Sequence, residues 1–170
     1  KTFPMNKLTH FFYASLIIST LLISHLAHAD SDKVFNGQKG LNQLLEKHKG
    51  DVIYLDFWAS WCGPCRKSFP WMNDMQNKYQ QQGFTVISVN LDADYELAQN
   101  FLKEHPALFS VIYDPKGLTA KKYKVKGMPT SYLIGRDGQI KKAHTGFFAK
   151  KITLYENEIK QLLTTNALSN

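Results

Sequence analysis

From Asp51 to Trp58 the chain is a continuous apolar run of strand type, broken only by Asp56, and it leads through Ala59-Ser60-Trp61 into Cys62-Gly63-Pro64-Cys65. Its length and β-branched content favour a strand buried on both faces. Pro64 suits the first turn of a helix, and Phe69, Met72, Met75 and Tyr79 then recur on one side, so a helix is expected through Tyr79, kinked at Pro70. A buried strand that delivers two thiols to the start of a helix requires a layered fold, with a sheet covered by helices.

The remaining chain fits that frame. Leu41, Leu44 and Leu45 mark a short amphipathic helix ended by Gly50, after a polar lead-in. Gly83 closes the cysteine helix, and a second strand is expected at Phe84–Leu91. A helix over Asp94–Glu104, with Leu97, Phe101 and Leu102 as its apolar positions, stops before Pro106. A strand at Leu108–Tyr113 precedes the turn Asp114-Pro115-Lys116-Gly117. A short helix to about Tyr123 leads into Lys126-Gly127-Met128-Pro129-Thr130. Strands Ser131–Ile134 and Ile140–His144 flank Arg136-Asp137-Gly138-Gln139 as a hairpin, and a last helix spans about Ala149 to Leu163. Strands alternating with helices, then a terminal hairpin and helix, describe an α/β sandwich with a mixed sheet.

The first thirty residues read differently. Lys7 and His10 precede an uncharged run from Phe11 to Ile23, and the segment ends in Ala27-His28-Ala29, the order of a secretory signal peptide. We expect residues 1–29 to be a signal peptide and residues 30–170 a single domain, with Met5 as the natural start and residues 1–4 extraneous. An uncleaved anchor is the alternative, but the apolar run falls short of the roughly 20 residues a helix needs to span a bilayer. Without Lys1 and Lys7 the domain carries 19 basic and 14 acidic groups, a formal charge of +5. Export puts the cysteines in an oxidising compartment, periplasmic or extracellular, where disulfides persist.

With two cysteines in the whole chain, disulfide-dense scaffolds and four-cysteine metal sites are excluded. The bland expectation is one structural crosslink. Yet a loop closed over two intervening residues constrains almost nothing in the unfolded chain, whereas a cysteine at a helix N-terminus meets unpaired N–H groups that favour thiolate. Cys62 is therefore expected as the exposed attacking nucleophile and Cys65, one turn further in, as the resolving thiol. A c-type haem site would need histidine at 66, where the chain has arginine. A metal site would need ligands beyond His48, His105 and His144, which are scattered and read as surface residues. A peroxide-reducing cysteine would have a hydroxyl residue where this chain has Ala59.

Phe57-Trp58-Ala59-Ser60-Trp61-Cys62-Gly63-Pro64-Cys65 resembles the active-site segment of the thioredoxin superfamily, and Gly127-Met128-Pro129-Thr130 resembles its cis-proline loop. The wider spacing is similar to the extracytoplasmic TlpA/ResA/DsbE-like branch. There a helix–strand insertion, here about Asp94 to Tyr113, separates the active-site half from the cis-proline half. The resemblance covers about Val34 to Leu163 and implies a thioredoxin-like fold, a mixed sheet flanked by helices.

It also implies roles. Asp56, a carboxylate costly to bury unless neutral or paired, would move protons for Cys65. The lysine that partners this acid in thioredoxins is replaced by Ser88 on the neighbouring strand. Pro129 would be cis, with the Met128 backbone beside the disulfide, where an extended client segment pairs as an added strand. Trp61, Gly63 and Pro64 would face the client, whereas Phe57 and Trp58 read as core. The implied function is an extracytoplasmic thiol:disulfide oxidoreductase with no cofactor beyond the redox-active Cys62–Cys65 pair. Its partners would be protein disulfide or dithiol clients, apocytochrome c among them, and a membrane-bound electron donor. The Gly-Pro dipeptide matches thioredoxin, whose potential is roughly −270 mV against about −120 mV for the oxidant DsbA, which favours a reductase. A disulfide oxidase or isomerase is the alternative, and from another class, a binding or chaperone module with a fixed disulfide. The cluster Lys121, Lys122, Lys124 and Lys126 reads as a solvated helix face, and no nucleic-acid motif is present.

Overall fold

The computed structural model describes residues 34–165, so the expected signal segment lies outside the described residues. The elements are β1 (Val34–Asn36), α1 (Gly37–Lys47), β2 (Val52–Trp58), α2 (Gly63–Tyr79), β3 (Phe84–Asn90) and α3 (Tyr95–Glu104). They continue with β4 (Ser110–Tyr113), α4 (Leu118–Lys122), β5 (Thr130–Ile134), β6 (Ile140–Thr145) and α5 (Ile152–Thr165). One six-stranded sheet has the order β1-β4-β3-β2-β5-β6. Its first four strands are parallel, and β5 and β6 are antiparallel to their neighbours, giving the mixed sheet.

Alternation along β2 explains the two layers. Val52, Tyr54 and Trp58 pack on one face with the α2 residues Phe69, Met72 and Met75, Phe101 of α3, and Ile159 of α5. Ile53, Leu55 and Phe57 pack on the other face with Leu41 and Leu44 of α1 and Ala120 of α4. Every residue of β2 and β3 is buried, as strands covered on both faces must be. Trp58, Phe69 and Phe101 meet with ring centroids 4.7–4.8 Å apart and form the aromatic centre of the first layer.

Local expectations hold where one residue type dictates the backbone. Gly83 closes the cysteine helix at φ 77°, after one 3-10 turn, and Gly138 turns the β5–β6 hairpin at φ 74°. Helix α2 runs unbroken through Pro70, which lies on its exposed side. Three expectations are corrected. The polar lead-in contains β1, whose three residues pair in parallel with β4, a long-range partner that a short run cannot announce. Leu97 is 48% exposed, because Ala98 and Phe101, one turn apart, form the row of α3 that meets the sheet. Strand β4 begins at Ser110, and Leu108 stands exposed before it. At the far end of the sheet from the cysteines, Arg136 donates to the carbonyls of Gly50 (2.9 Å) and Gln82 (2.8 Å), tying the hairpin to the loops that bracket β2 and β3.

Candidate active site

The end of β2 and the start of α2 position the cysteine pair. Cys62 is the N-cap of α2, with extended backbone (φ −81°, ψ 105°), and its sulfur accepts the backbone N–H of Cys65 at 3.3 Å. Pro64 occupies the first turn, where a missing N–H costs nothing. Cys62 and Cys65 form a disulfide with Cα atoms 5.3 Å apart. The expected exposure of Cys62 is corrected: it retains 4% of its surface and Cys65 none. In the disulfide its sulfur is turned toward Cys65 and the helix N-terminus rather than toward solvent. The same helix N–H groups are on hand to stabilise a thiolate at Cys62 once the bond is opened.

A second chain segment completes the site. Because β5 pairs antiparallel with β2, Thr130 lies opposite Phe57, and the loop preceding β5 arrives beside the segment that leads to Cys62. The Met128–Pro129 peptide is cis. Thr130 Oγ1 holds the loop by donating to the Gly127 carbonyl (2.7 Å), and the Pro129 carbonyl accepts from Gly146 N–H (2.7 Å). Met128 itself makes no backbone hydrogen bond among the described residues and is half-buried against the α2 layer. Trp61 is 69% exposed, Gly63 and Pro64 are exposed, and Pro129 is buried.

Asp56 is fully buried in the middle of β2, and its side chain points to the face of Tyr54 and Trp58, the face on which Cys65 packs. An exposed edge position for this residue is thereby excluded. Ser131 Oγ donates to Asp56 Oδ1 at 2.6 Å, while Oδ2 is buried with no hydrogen-bond partner among the described residues. Burial pushes the carboxyl up from its ordinary 3.8 to about 7, with the Ser131 hydroxyl pulling the other way. Burial, then the neighbouring Asp56, raises the Tyr54 phenol well above its ordinary range. Ser88 lies directly opposite Asp56 on β3, but its hydroxyl is engaged elsewhere, accepting the Trp58 indole N–H at 3.2 Å.

Sequence reasoning missed Ser131 and the support of the cysteine loop. Asp92, 1% exposed, accepts the Ser60 N–H with both oxygens (3.2 and 3.0 Å), the Ser60 hydroxyl (3.0 Å) and an amide N–H of Asn90 (2.7 Å). This carboxylate fixes the residue two before Cys62. A polar residue inside an otherwise apolar strand is the signal that Ser131 shares with Asp56 and Ser88, whereas Asp92 follows β3 and carries no such signal. The histidines are corrected as well. His48 bonds Asp51 (3.0 Å) and His144 bonds Glu158 (2.7 Å), each half-buried in a local pair. Among the described residues no group of three His, Cys, Asp or Glu side chains could hold a metal ion.

The redoxin family profile matches residues 31–163. The chain belongs to the redoxin family. It is 34% identical over 128 residues to the thiol-disulfide oxidoreductase ResA of Bacillus subtilis, covering 75% of this chain and 72% of that one. It is 38% identical over 96 residues to the ResA protein of Bacillus thuringiensis subsp. konkukian, where the match spans 56% of each, little more than half the relative's length. Among solved structures, a candidate thiol:disulfide interchange protein DsbE from Chlorobium tepidum superposes with a TM-score of 0.69 at 54% identity, covering 70% of this chain and 84% of that one. The thioredoxin-like fold and the ResA/DsbE-like branch read from the sequence are the ones these comparisons return.

Proposed function

We propose that this chain is an extracytoplasmic thiol:disulfide oxidoreductase that reduces protein disulfides. The observation that carries the reading is the Cys62–Cys65 disulfide at the N-cap of α2, beside the Met128–Pro129 loop. In the reduced protein, Cys62 thiolate attacks one sulfur of a client disulfide and the other client sulfur leaves as thiolate. Cys65, losing its proton to Asp56, then attacks Cys62 sulfur. The second client thiolate departs and the Cys62–Cys65 bond forms, so the client gains the two electrons that the dithiol loses. The unpaired Met128 backbone offers an extended client segment a strand partner, and Trp61, Gly63 and Pro64 supply exposed contact surface. Protein disulfides, apocytochrome c among them, are the client class, and a membrane-bound donor restores the dithiol. The signal-like pattern of residues 7–29 supports placing the domain outside the cytoplasm.

Replacing Cys65 by alanine leaves Cys62 unable to release its client. Expressed in its own compartment, Cys65→Ala should accumulate mixed disulfides that dissolve on reduction. A binding module with a fixed disulfide would accumulate none, and that result would sink the proposal. Equilibration of the wild-type pair with glutathione sets the direction: a potential near −270 mV supports a reductase, and one near −120 mV makes the protein an oxidant.

A further inference from the structure

Asp56 sits in a row of polar residues that crosses the sheet beneath α2. Ser88 of β3, Asp56 of β2, Ser131 of β5 and His144 of β6 are successive cross-strand neighbours. The two serines that flank the carboxylate are not equivalent. Ser88 Oγ accepts from Trp58 Nε1 and donates to the Ser110 carbonyl (3.5 Å), so it has no hydrogen left to donate to Asp56. Ser131 Oγ, in contrast, spends its hydrogen on Asp56 Oδ1 at 2.6 Å. The two carboxyl oxygens are thereby made different: one is occupied by a donor, and the other is buried without a partner.

That asymmetry matters for a group that must gain and lose a proton. A hydroxyl donating to Oδ1 is satisfied both by the carboxylate and by the acid protonated on Oδ2, so neither residue has to turn during the cycle. A proton placed on Oδ1 would instead collide with the Ser131 hydrogen. The other titratable groups facing this cluster are Tyr54 of β2, Cys65 of α2, Tyr155 and Glu158 of α5, and His144 of β6. Of these, His144 and Glu158 are engaged with each other at 2.7 Å, and among the described residues no side-chain donor other than Ser131 bonds the Asp56 carboxyl.

We infer that Ser131 is a positioning residue for the exchange reaction, holding Oδ1 of Asp56 so that the proton of Cys65 is taken up on Oδ2. This rests on the acid–base role proposed for Asp56. In the resolving step the Cys65 S–H bond breaks and an O–H bond forms at Oδ2. The electron pair left on Cys65 sulfur makes the Cys62–Cys65 bond, and the bond between Cys62 and the client breaks with its pair going to the client sulfur. Ser131 neither gains nor loses an atom; it stabilises the carboxylate that must be present at the start.

The test uses the reduced full chain and the disulfide 5,5′-dithiobis(2-nitrobenzoate). Attack by Cys62 releases one thionitrobenzoate, and attack by Cys65 on the resulting mixed disulfide releases the second, whose rate is followed against pH. Wild type should show a rate that rises as Asp56 ionises. Ser131→Ala should move that midpoint up by about one pH unit or more, a roughly tenfold slower release on the acid side, and Ser131→Thr should restore it. If Ser131→Ala fails to fold, Ser131→Val compared with Ser131→Thr, isosteric and differing in the hydroxyl, makes the same measurement. Titration of the Asp56 carboxyl band by infrared spectroscopy in the oxidised variants should move in parallel. Asp56→Asn separates the two ideas. If it removes this pH dependence while the Ser131 variants coincide with wild type, Ser131 is not a positioning residue and the role of Asp56 stands. If Asp56→Asn leaves the profile unchanged, the acid–base reading itself fails.

Discussion

A buried carboxyl that titrates near neutrality must make this fold less stable in alkali than in acid, and Asp56→Asn isolates that effect. The side chain is fully buried and its pKa rises from 3.8 to about 7. For an acid whose folded pKa is raised, stability is complete below the unfolded value and is lost as pH climbs through the folded one. At roughly 1.4 kcal/mol per pH unit, the full loss above pH 7 is about 4 kcal/mol, of which about 1–2 kcal/mol has already accrued at pH 5. The asparagine variant does not titrate, but it buries an amide N–H₂ where Oδ2 has no partner, which costs about 1–3 kcal/mol at every pH. The variant should thus match or trail wild type at pH 5 and exceed it at pH 8.5. Between those two pH values the difference should swing by about 2–3 kcal/mol in the variant's favour. Urea unfolding of the oxidised proteins reads this as a relative midpoint change of roughly one to two molar. Titrations elsewhere in the molecule cancel in the comparison. A difference that stays flat from pH 5 to 8.5 would refute the reasoning, because Asp56 would then be ionising with little cost of burial.

Two further perturbations test the frame that carries the site. Glu156 accepts from Lys78 (2.7 Å), Tyr79 (2.5 Å) and Lys160 (3.2 Å), and these partners, Lys78 foremost, hold its carboxyl down at about 2. Both lysines are about half exposed and screened, so Glu156→Gln should cost about 1–2 kcal/mol at pH 7. The sign is opposite to that of Asp56: the deficit is full above pH 4.5 and vanishes as pH falls toward 2, seen as converging urea midpoints. Gly83→Ala puts a Cβ at φ 77° and 2.6 Å from Arg136 Nη1. It should cost about 2–3 kcal/mol with exchange activity unchanged, and about 1 kcal/mol in an Arg136→Ala background, by thermal or urea unfolding.

What the sequence disclosed and what it hid divide along the range of the interactions involved. Cys62, Pro64 and Cys65 act within one turn of α2, Gly83 and Gly138 act on their own backbone, and Pro129 belongs to a recognisable short segment, so each was legible locally. The partners of the site were not. Ser131 is 75 positions from Asp56, and Ser60 is 32 from Asp92, and those contacts exist only through strand pairing. Strand β1 depends in the same way on β4. The burial of Cys62 was hidden for another reason: it depends on how the disulfide and the N-cap backbone turn the sulfur inward, whereas the sequence specifies only that a thiol stands there.

The pairing that sets Thr130 opposite Phe57 also decides when the chemistry becomes available. An unfolded copy already carries both cysteines, yet it lacks the helix terminus at Cys62, the enclosure of Asp56 and the Met128–Pro129 loop that the proposed reaction uses. The last two depend on the pairing of β5 with β2, which sets Ser131 beside Asp56 and brings the loop to the cysteine segment. Reactivity is therefore acquired with the native state rather than inherited from the motif. On the proposed mechanism, an unfolded chain carries the motif without the surroundings that the exchange reaction uses.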